Sequence, residues 1–470
     1  MGIISTIRGW IKMLLGGRTK DVYGVTPITS AKLDSFISQA GSIYEGMPPW
    51  MGDDIRTINM AKAVCSETAR LATMGIGIHA DGGPRAEWIQ HQIDSAVYFN
   101  LRHWIEYAVA YGTAILKPNG DTVDMYLPGR FVVTDTLAGE ITGAVFMDHA
   151  YDHAAEKYYT RLEYHRFLPN GNYAVSNRCF VSETDHGSGK PCVIEITPWV
   201  GLAEDAEIIG VDKPLFGVLR TPAANNIDIN SPMGLPIYAD AIEELRDLDL
   251  AYTRNSDEID DSRRIVMLDS DRLIASGQPV KNMAADFDRR RDELKLPKYV
   301  RMIQGYARED VYHEINPTLN TETRLAGINA LLSQIGYKCG FSNGYFVFNE
   351  SSGIATATQV EADQQRTVQL IKDVREKLTD ALDGLVYALD KMADLYGYAP
   401  RGTFEMHYDF GDILYSFTED KARWYGYVSA GRVPFWYYLV KFEGFSEADA
   451  KALEEMAAPQ EPEGLFNREE

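Results

Sequence analysis

Apolar positions along the chain repeat with two different periods, and the change of period divides it. Up to Gly112 and again after Ser231 they recur every three to four residues, as on one face of a helix. Between about Ile141 and Val181 they alternate every second residue, as in strands with one covered face. In "DDIRTINMAKAVCSETARLATM" the stripe Ile55, Ile58, Ala61, Val64 or Cys65, Ala69 and Leu71 predicts a helix opening near Asp53 or Asp54 and running to Met74. "EWIQHQIDSAVYFNLRHWIEYAVAYG" predicts a second helix, stopped by Gly112. "ITGAVFMDH", "KYYTRLEYHRF" and "NYAVSNRCFV" predict a small antiparallel meander with a turn at Pro169-Asn170-Gly171.

Helical spacing returns in "SPMGLPIYADAIEELRDLDLAYTRNSDE", which Ser231 and Pro232 would open as N-cap and first-turn residue. Tyr238, Ala241, Leu245, Leu248, Tyr252 and Ile259 make a narrow apolar seam, with Asp240, Glu243, Glu244 and Asp247 on the other side. A second seam, Leu325, Ile328, Leu332, Ile335 and Cys339, predicts a partner helix, so the segment between the two lies at their far end. A Gly- and Ser-rich stretch with Tyr345, Phe346 and Phe348 follows. Thr358 and Glu361 then have the spacing of a capping box. From there the stripe Ile371, Val374, Leu378, Ala381, Leu385, Leu389, Met392 and Tyr396 runs to a stop at Gly397, a helix roughly 55–60 Å long at 1.5 Å per residue. The fold class read from this order is α+β with a helical second half and one very long helix.

Length and charge narrow the functional classes. A chain of 470 residues exceeds the roughly 250–300 residues of one core, so at least two packed units are expected. With 46 Lys and Arg against 68 Asp and Glu, the formal charge is −22. That opposes a protein that coats nucleic acid by neutralising phosphates, but not one that lets it pass. Cys65, Cys179, Cys192 and Cys339 are widely spaced with no CxxC pair, which predicts free thiols and a reducing compartment. At the N-terminus Ile3, Ile7, Trp10, Ile11, Leu14 and Leu15 share one helical face opposite Ser5, Arg8 and Lys12. Gly2 and Thr6 fit a myristoylation pattern. The arm is too short to span a bilayer, and it is expected to pack on its own chain or a neighbour, without stable membrane association.

Three catalytic or metal patterns fail on inspection. "HGSGKPC" lacks the phosphate-loop glycine where Thr184 stands and the hydroxyl residue where Pro191 stands, which leaves a turn between strands. His149 and His153 with Asp148 and Asp152 have metal-ligand residue types, but they fall between predicted strands, where polar loop residues are the default. No G-x-S-x-G elbow ties Ser, His and acid together. The expectation is a non-enzyme with no cofactor and no metal.

The succession of parts resembles the portal proteins of tailed bacteriophages, the rings at one capsid vertex through which DNA enters and leaves. The likeness is carried by "NIDINSPMGLPIYADAIEELRDLDLAYTRNSDEI" and "SGIATATQVEADQQRTVQLI", with weaker echoes in "IYEGMPPW", "INMAKAVCSETARL" and "RLEYHRF". It implies a wing over 1–229 and 358–415, stem helices over 230–262 and 318–340, a clip over 263–317, a tunnel loop over 341–357, a crown over 416–458 and a mobile acidic tail over 459–470. It also implies a virion protein in a ring of about twelve copies, assembled in the host cytoplasm. Its partners would be double-stranded DNA, a terminase motor, the major capsid and scaffold proteins, and head-completion or tail adaptor proteins.

On that resemblance the acidic residues acquire a role. A ring of about twelve chains carries a formal charge of roughly −260, and an acidic, hydrated wall favours sliding where rows of phosphate contacts would hold DNA fast. Asp240, Glu243, Glu244 and Asp247 are the expected channel-lining set. Asn343, Tyr345, Phe348, Asn349 and Glu350 are the expected tunnel-loop set, although an aromatic loop equally packs on a neighbouring subunit. Arg289, Arg290, Arg291, Lys295 and Lys298 would meet DNA or a docking protein, or pair with Asp286, Asp288, Asp292 and Glu293. The competing classes are a structural ring or scaffold without a conduit, and a peripheral membrane protein anchored through Met1 to Leu15.

Overall fold

The computed structural model describes residues 15, 17–52, 54–120, 122–185, 189–261, 265–269, 300–303, 312–315, 320–348, 357–411, 417–430, 432–443 and 445–457. Two units divide the chain, Met1–Asp409 and Phe410–Glu470. Both α and β structure are present, as the two periods require.

The first unit is organised around an antiparallel sheet in the order β4 (Phe131–Leu137), β5 (Glu140–Asp152), β6 (Lys157–Phe167), β7 (Tyr173–Ser182) and β8 (Lys190–Cys192). β9 (Asp205–Ile208) shares the β7 edge with β8. β5, β6 and β7 are the three strands that the alternation predicted, β4, β8 and β9 add to them, and Gly171 at φ 85° makes the turn between β6 and β7. Alternation divides the sheet into two covered faces. Val132, Val145, Met147, Leu162, Tyr164 and Phe180 pack with Leu15, Val22, Tyr23 and Val25 of the N-terminal segment. Tyr23 Oη lies 2.7 Å from the Leu162 carbonyl oxygen and 3.0 Å from that of Ser176. Phe131, Val133, Ile141, Ala144 and Phe146 belong to the other core, with Leu33 and Ile37 of helix α1 (Ala31–Tyr44). Of the predicted apolar arm only Leu15 is described, and it packs on this chain's own sheet; residues 1–14 and 16 lie outside the described residues. No helix among the described residues is long and apolar enough to cross a membrane.

Helix α2 (Met60–Ala72) opens six residues later than the stripe predicted. The preceding backbone is needed elsewhere: Arg56 N–H donates to Thr253 Oγ1 (3.0 Å) and Ile58 N–H to Asp249 Oδ1 (3.0 Å). Asn59 then caps the helix from a left-handed conformation, its side chain accepting from Lys62 N–H. The single helix predicted before Gly112 is two, α3 (Pro84–Gln92) and α4 (Leu101–Tyr111), joined by a π-turn over Ile93–Val97. Gly112 does end α4, at φ 82°. β1 (Gly77–Gly82) pairs with β14 (Phe404–Asp409), and β2 (Thr113–Asn119) lies between β3 (Thr122–Tyr126) and β10 (Gly217–Arg220).

The helix placed at Ser231 begins only at Ile242 and runs to Asp261 (α5), behind a 3-10 turn over Ala239–Ala241. Ser231 and Pro232 therefore do not cap it. The approach segment is extended and buried because its donors serve the neighbours: Gly234 N–H reaches Thr113 Oγ1 (2.8 Å) and Ile237 N–H reaches the Val109 carbonyl (2.9 Å). In the segment between α5 and α6 (Thr321–Lys338), β11 (Ile265–Asp269) pairs with β12 (Val300–Ile303) and β13 (Tyr312–Ile315).

Helix α7 (Ala357–Tyr396) has the length predicted for it, about 60 Å over 40 residues. Ile371, Val374, Leu378, Ala381, Leu385 and Leu389 are buried, whereas Tyr396 is exposed. Two arginines fasten it. Arg375 donates to the Leu71, Ala72 and Met74 carbonyls at 3.0–3.1 Å, satisfying the end of α2. Arg85, fully buried, bonds to the Asp394 carboxylate (2.5 Å) and to the Pro400 and Asp390 carbonyls. Where α7 crosses β10, Gly384 meets Gly217 without side chains between them: a Cβ on Gly217 would overlap the Ala381 carbonyl oxygen, and one on Gly384 would lie 2.9 Å from Gly217 Cα.

The second unit contains α8 (Phe417–Ser429), α9 (Phe435–Tyr438) and α10 (Glu447–Ala457). Tyr438, Leu439, Phe442 and Ala450 form its small core, flanked by Trp424 and Trp436.

Candidate functional site

Helices α5 and α6 pack along the predicted seams. Tyr238, Ala241, Leu245, Leu248, Ile328, Leu332, Ile335 and Cys339 are buried, while Ile259 is exposed at the far end. The four carboxylates of the first helix do not form one face. Asp240, Glu243 and Asp247 are exposed, and Arg246 lies 3.9 Å from Glu243. Glu244 turns toward α6, where Lys338 Nζ lies 2.6 Å from Oε1 and 2.9 Å from the Asp240 carbonyl oxygen. At the other end Glu258 pairs with Arg324 and accepts from Asn320 N–H at 3.1 Å. Another carboxylate, Asp249, is buried and accepts from Trp50 Nε1 (2.9 Å) as well as from Ile58 N–H. It escaped the sequence reading because it stands among other acids with no mark of burial.

The segment after α6 folds back on its own chain. Phe341, Tyr345 and Phe346 form an aromatic cluster with centroids 4.9–5.0 Å apart, and Phe341 is fully buried. Tyr345 Oη donates to Glu67 of α2, which also holds Arg70 through two bonds of 2.7 and 2.8 Å. Hydrogen bonding to Arg70 keeps the Glu67 carboxyl below its ordinary value, and burial with the Glu67 bond pushes the Tyr345 phenol up to about 12. Asn343 bonds to Ser333 of α6. Asn329 of α6 bonds to both the N–H (3.1 Å) and the carbonyl (2.9 Å) of Phe348, whose ring is half exposed. Thus Tyr345 and Asn343 hold this segment in place, and Phe348 is the aromatic left at the surface. Asn349, Glu350, Arg289, Arg290, Arg291, Lys295 and Lys298 lie outside the described residues. Thr358 and Glu361 fall on the first turns of α7, and their side chains lie outside the described residues as well.

A buried ionic cluster sits on the sheet face toward α7. Glu163 Oε2 lies 2.9 Å from both Lys117 Nζ and Arg161 Nη2, and Oε1 lies 2.7 Å from His165 Nε2. Arg161 also bonds to Asp148 (2.7 Å), which accepts from Tyr126 Oη (2.7 Å) and pairs with Arg130 (3.2 Å). Burial alone would raise the Glu163 carboxyl, but Lys117, His165 and Arg161 overcome it and hold it well below the carboxylate range. Burial pushes the His165 imidazole below its usual value against the pull of Glu163, leaving a neutral ring. Asp148 and His149, read as loop residues, stand on β5, and Asp148 is a buried member of the cluster. A cavity of about 440 Å³ opens beside Lys117, Arg161, Glu163 and His165, with Ala388 and Met392 of α7 across it.

No family model matches the chain, and no curated protein matches it. Among solved structures, chains in the neck of an empty GTA particle computed with C6 symmetry (TM-score 0.42, 11% identity) and in the neck of a native GTA particle computed with C12 symmetry (0.42, 12%) are similar to it. In both pairings the match covers 94% of this chain and 98% of the other. A chain in the virion of a native gene transfer agent particle scores 0.41 at 12% identity, over 92% of this chain and 99% of the other.

Proposed function

We propose that this chain is a portal-type subunit, a non-enzymatic ring component serving as DNA conduit and docking platform in a tailed-phage-like virion. The observation that carries the reading is the helix pair α5–α6, whose inner side is cross-tied by Glu244–Lys338 while Asp240, Glu243 and Asp247 stay exposed. An acid-bearing wall of that kind is what a passage for a polyanion needs, since it offers no row of phosphate contacts. The helix pair leads into a segment pinned at Tyr345 and Asn343, and then into the 40-residue helix that braces the sheet unit.

In this reading Asp240, Glu243 and Asp247 face the passage, and Glu244 holds the wall together. The segment 341–357 stands at its narrowest point with Phe348 at the surface, and 263–317 meets the motor and adaptor proteins. Residues 1–229 and 358–415 form the wing and 416–458 the crown. About twelve copies close the ring, with terminase, capsid and scaffold proteins as partners. Native mass spectrometry with electron microscopy of the full chain tests the ring: closed particles near twelve copies with an axial hole support it. A triple Asp240→Lys, Glu243→Lys, Asp247→Lys variant tests the wall, because rings that assemble but stall DNA packaging are expected, and unchanged packaging removes these residues from the passage.

A further inference from the structure

The register of β7 and β8 sets Cys179 directly opposite Cys192, with Phe180 opposite Pro191 and Val181 opposite Lys190. Opposed residues of an antiparallel pair project to the same face, with Cα atoms about 4.5 or 5.5 Å apart according to their place in the ladder. A disulfide needs about 4.4 to 6.8 Å, so either place suffices without moving the backbone. β8 is a three-residue strand at the sheet edge, free to adjust the last few tenths of an ångström. Both thiols are free; Cys179 is buried and Cys192 half-buried, so a small oxidant reaches the outer one.

The neighbours give the pair a consequence. Asp148, Arg161, Cys179 and Cys192 stand in one row across four adjacent strands. After Cys192 the chain crosses back over this row. Trp199 lies under the Arg161 guanidinium at 5.3 Å, Leu202 and Ala203 line the 440 Å³ cavity, and the Ala203 carbonyl accepts from Asn177 Nδ2 (2.8 Å). A bond at Cys192 would fix the near end of this strap where Asn177 holds the far end.

We infer that Cys179 and Cys192 are an oxidant-responsive thiol pair, closed to a disulfide by hydrogen peroxide, which fastens the strap 193–203 over the ionic cluster. In the first step the Cys192 thiolate attacks one peroxide oxygen. The O–O bond breaks, giving Cys192 sulfenic acid and a hydroxide that takes the proton Cys192 released. In the second step the Cys179 sulfur attacks the sulfenic sulfur, the S–O bond breaks, and the departing hydroxide leaves with the Cys179 proton. Two thiols lose two electrons to the peroxide, and two waters form. Burial raises both thiols above their usual value, so the reaction is slow at neutral pH and suits sustained oxidation rather than peroxide scavenging. The inference does not depend on the portal reading.

The test treats the folded full-length chain with hydrogen peroxide, blocks remaining thiols with N-ethylmaleimide, and digests it without reductant. A glutamyl endopeptidase cuts after Glu183 and so separates the two cysteines. The expected product is a peptide pair joined through Cys179 and Cys192, reversed by dithiothreitol, with Cys65 and Cys339 alkylated after denaturation. The joined pair should be absent from Cys192→Ser and from Cys179→Ser, both checked for unchanged circular dichroism. Diamide, which needs no sulfenic intermediate, should give the same linkage. Cys192 sulfinic acid with no linkage under either oxidant, or linkage through other cysteines, overturns the inference.

Discussion

Lys338 Nζ lies 2.6 Å from Glu244 Oε1 and 2.9 Å from the Asp240 carbonyl oxygen, so one cation of α6 clasps the opening turn of α5. Of the four acids expected to line a passage, Glu244 is thus tied to α6, whereas Asp240, Glu243 and Asp247 stay at the surface. Lys338→Met strands a half-buried carboxylate and should cost about 1 kcal/mol in urea unfolding. The triple lysine variant at Asp240, Glu243 and Asp247 should shift the same curve by no more than about 0.5 kcal/mol. Equal losses in the two variants would mean that the surface acids are also structural.

The crossing of α7 over β10 rests on two glycines. Gly217→Ala forces a methyl group into the Ala381 carbonyl and can be relieved only by lifting the helix, so a loss near the top of the roughly 1–3 kcal/mol range of overpacking is expected. Gly384→Ala, 2.9 Å from Gly217 Cα, should cost less than Gly217→Ala. Thermal unfolding of the two variants beside wild type checks both the sign and the order.

Tyr345 is a latch between the segment after α6 and helix α2, and its titration gives the latch a signature. The phenol titrates near 10 when unfolded and near 12 in the fold, so the folded state keeps the proton longer. Its contribution is therefore full below pH 10 and falls away as pH rises toward 12. Tyr345→Phe should lose about 1 kcal/mol at pH 8, and the gap to wild type should narrow between pH 10 and 12. A gap that stays constant with pH would assign the loss to packing of the ring alone.

What was legible in the sequence followed from unbroken periodicity. The meander, the long helix to Gly397 and the two seams were visible because each repeats its pattern through several turns or strand steps. Boundaries failed where backbone donors serve distant partners: Ile58 N–H belongs to Asp249 and Gly234 N–H to Thr113, and neither partnership leaves a local trace. The candidate site was read only in part for a related reason. Charge at Glu244 looked like charge at Asp240, and only the packing of α6 separates them. Arg161, Glu163 and His165 alternate along β6 as residues of a solvent face do, yet all three are buried, with Phe146, Tyr173 and Phe216 around His165, Trp199 against Arg161, and the 40-residue helix across a cavity on the same side.

That buried row sets the acid sensitivity of the first unit. Glu163, with a depressed carboxyl, contributes stability that is present above its unfolded value near 4.5 and is lost as pH falls through its lower folded value. His165, also depressed, contributes stability above its unfolded value near 6.5 and loses it as pH falls below that point. Wild type should therefore weaken in two stages, first below about pH 6.5 and again below about 4.5. Glu163→Gln leaves Lys117 and Arg161 buried without their shared anion and should cost about 3–5 kcal/mol at pH 7. Its loss should shrink below about pH 4.5, where the unfolded wild-type chain takes up a proton at this carboxylate and the contribution of Glu163 fades. Lys117→Met should also be destabilising at neutral pH, but through the orphaned carboxylate, so acid should partly restore it by neutralising Glu163. Urea midpoints for the two variants and wild type from about pH 3 to 8 check the signs, and a Lys117→Met deficit that deepens in acid would remove Glu163 as its cause.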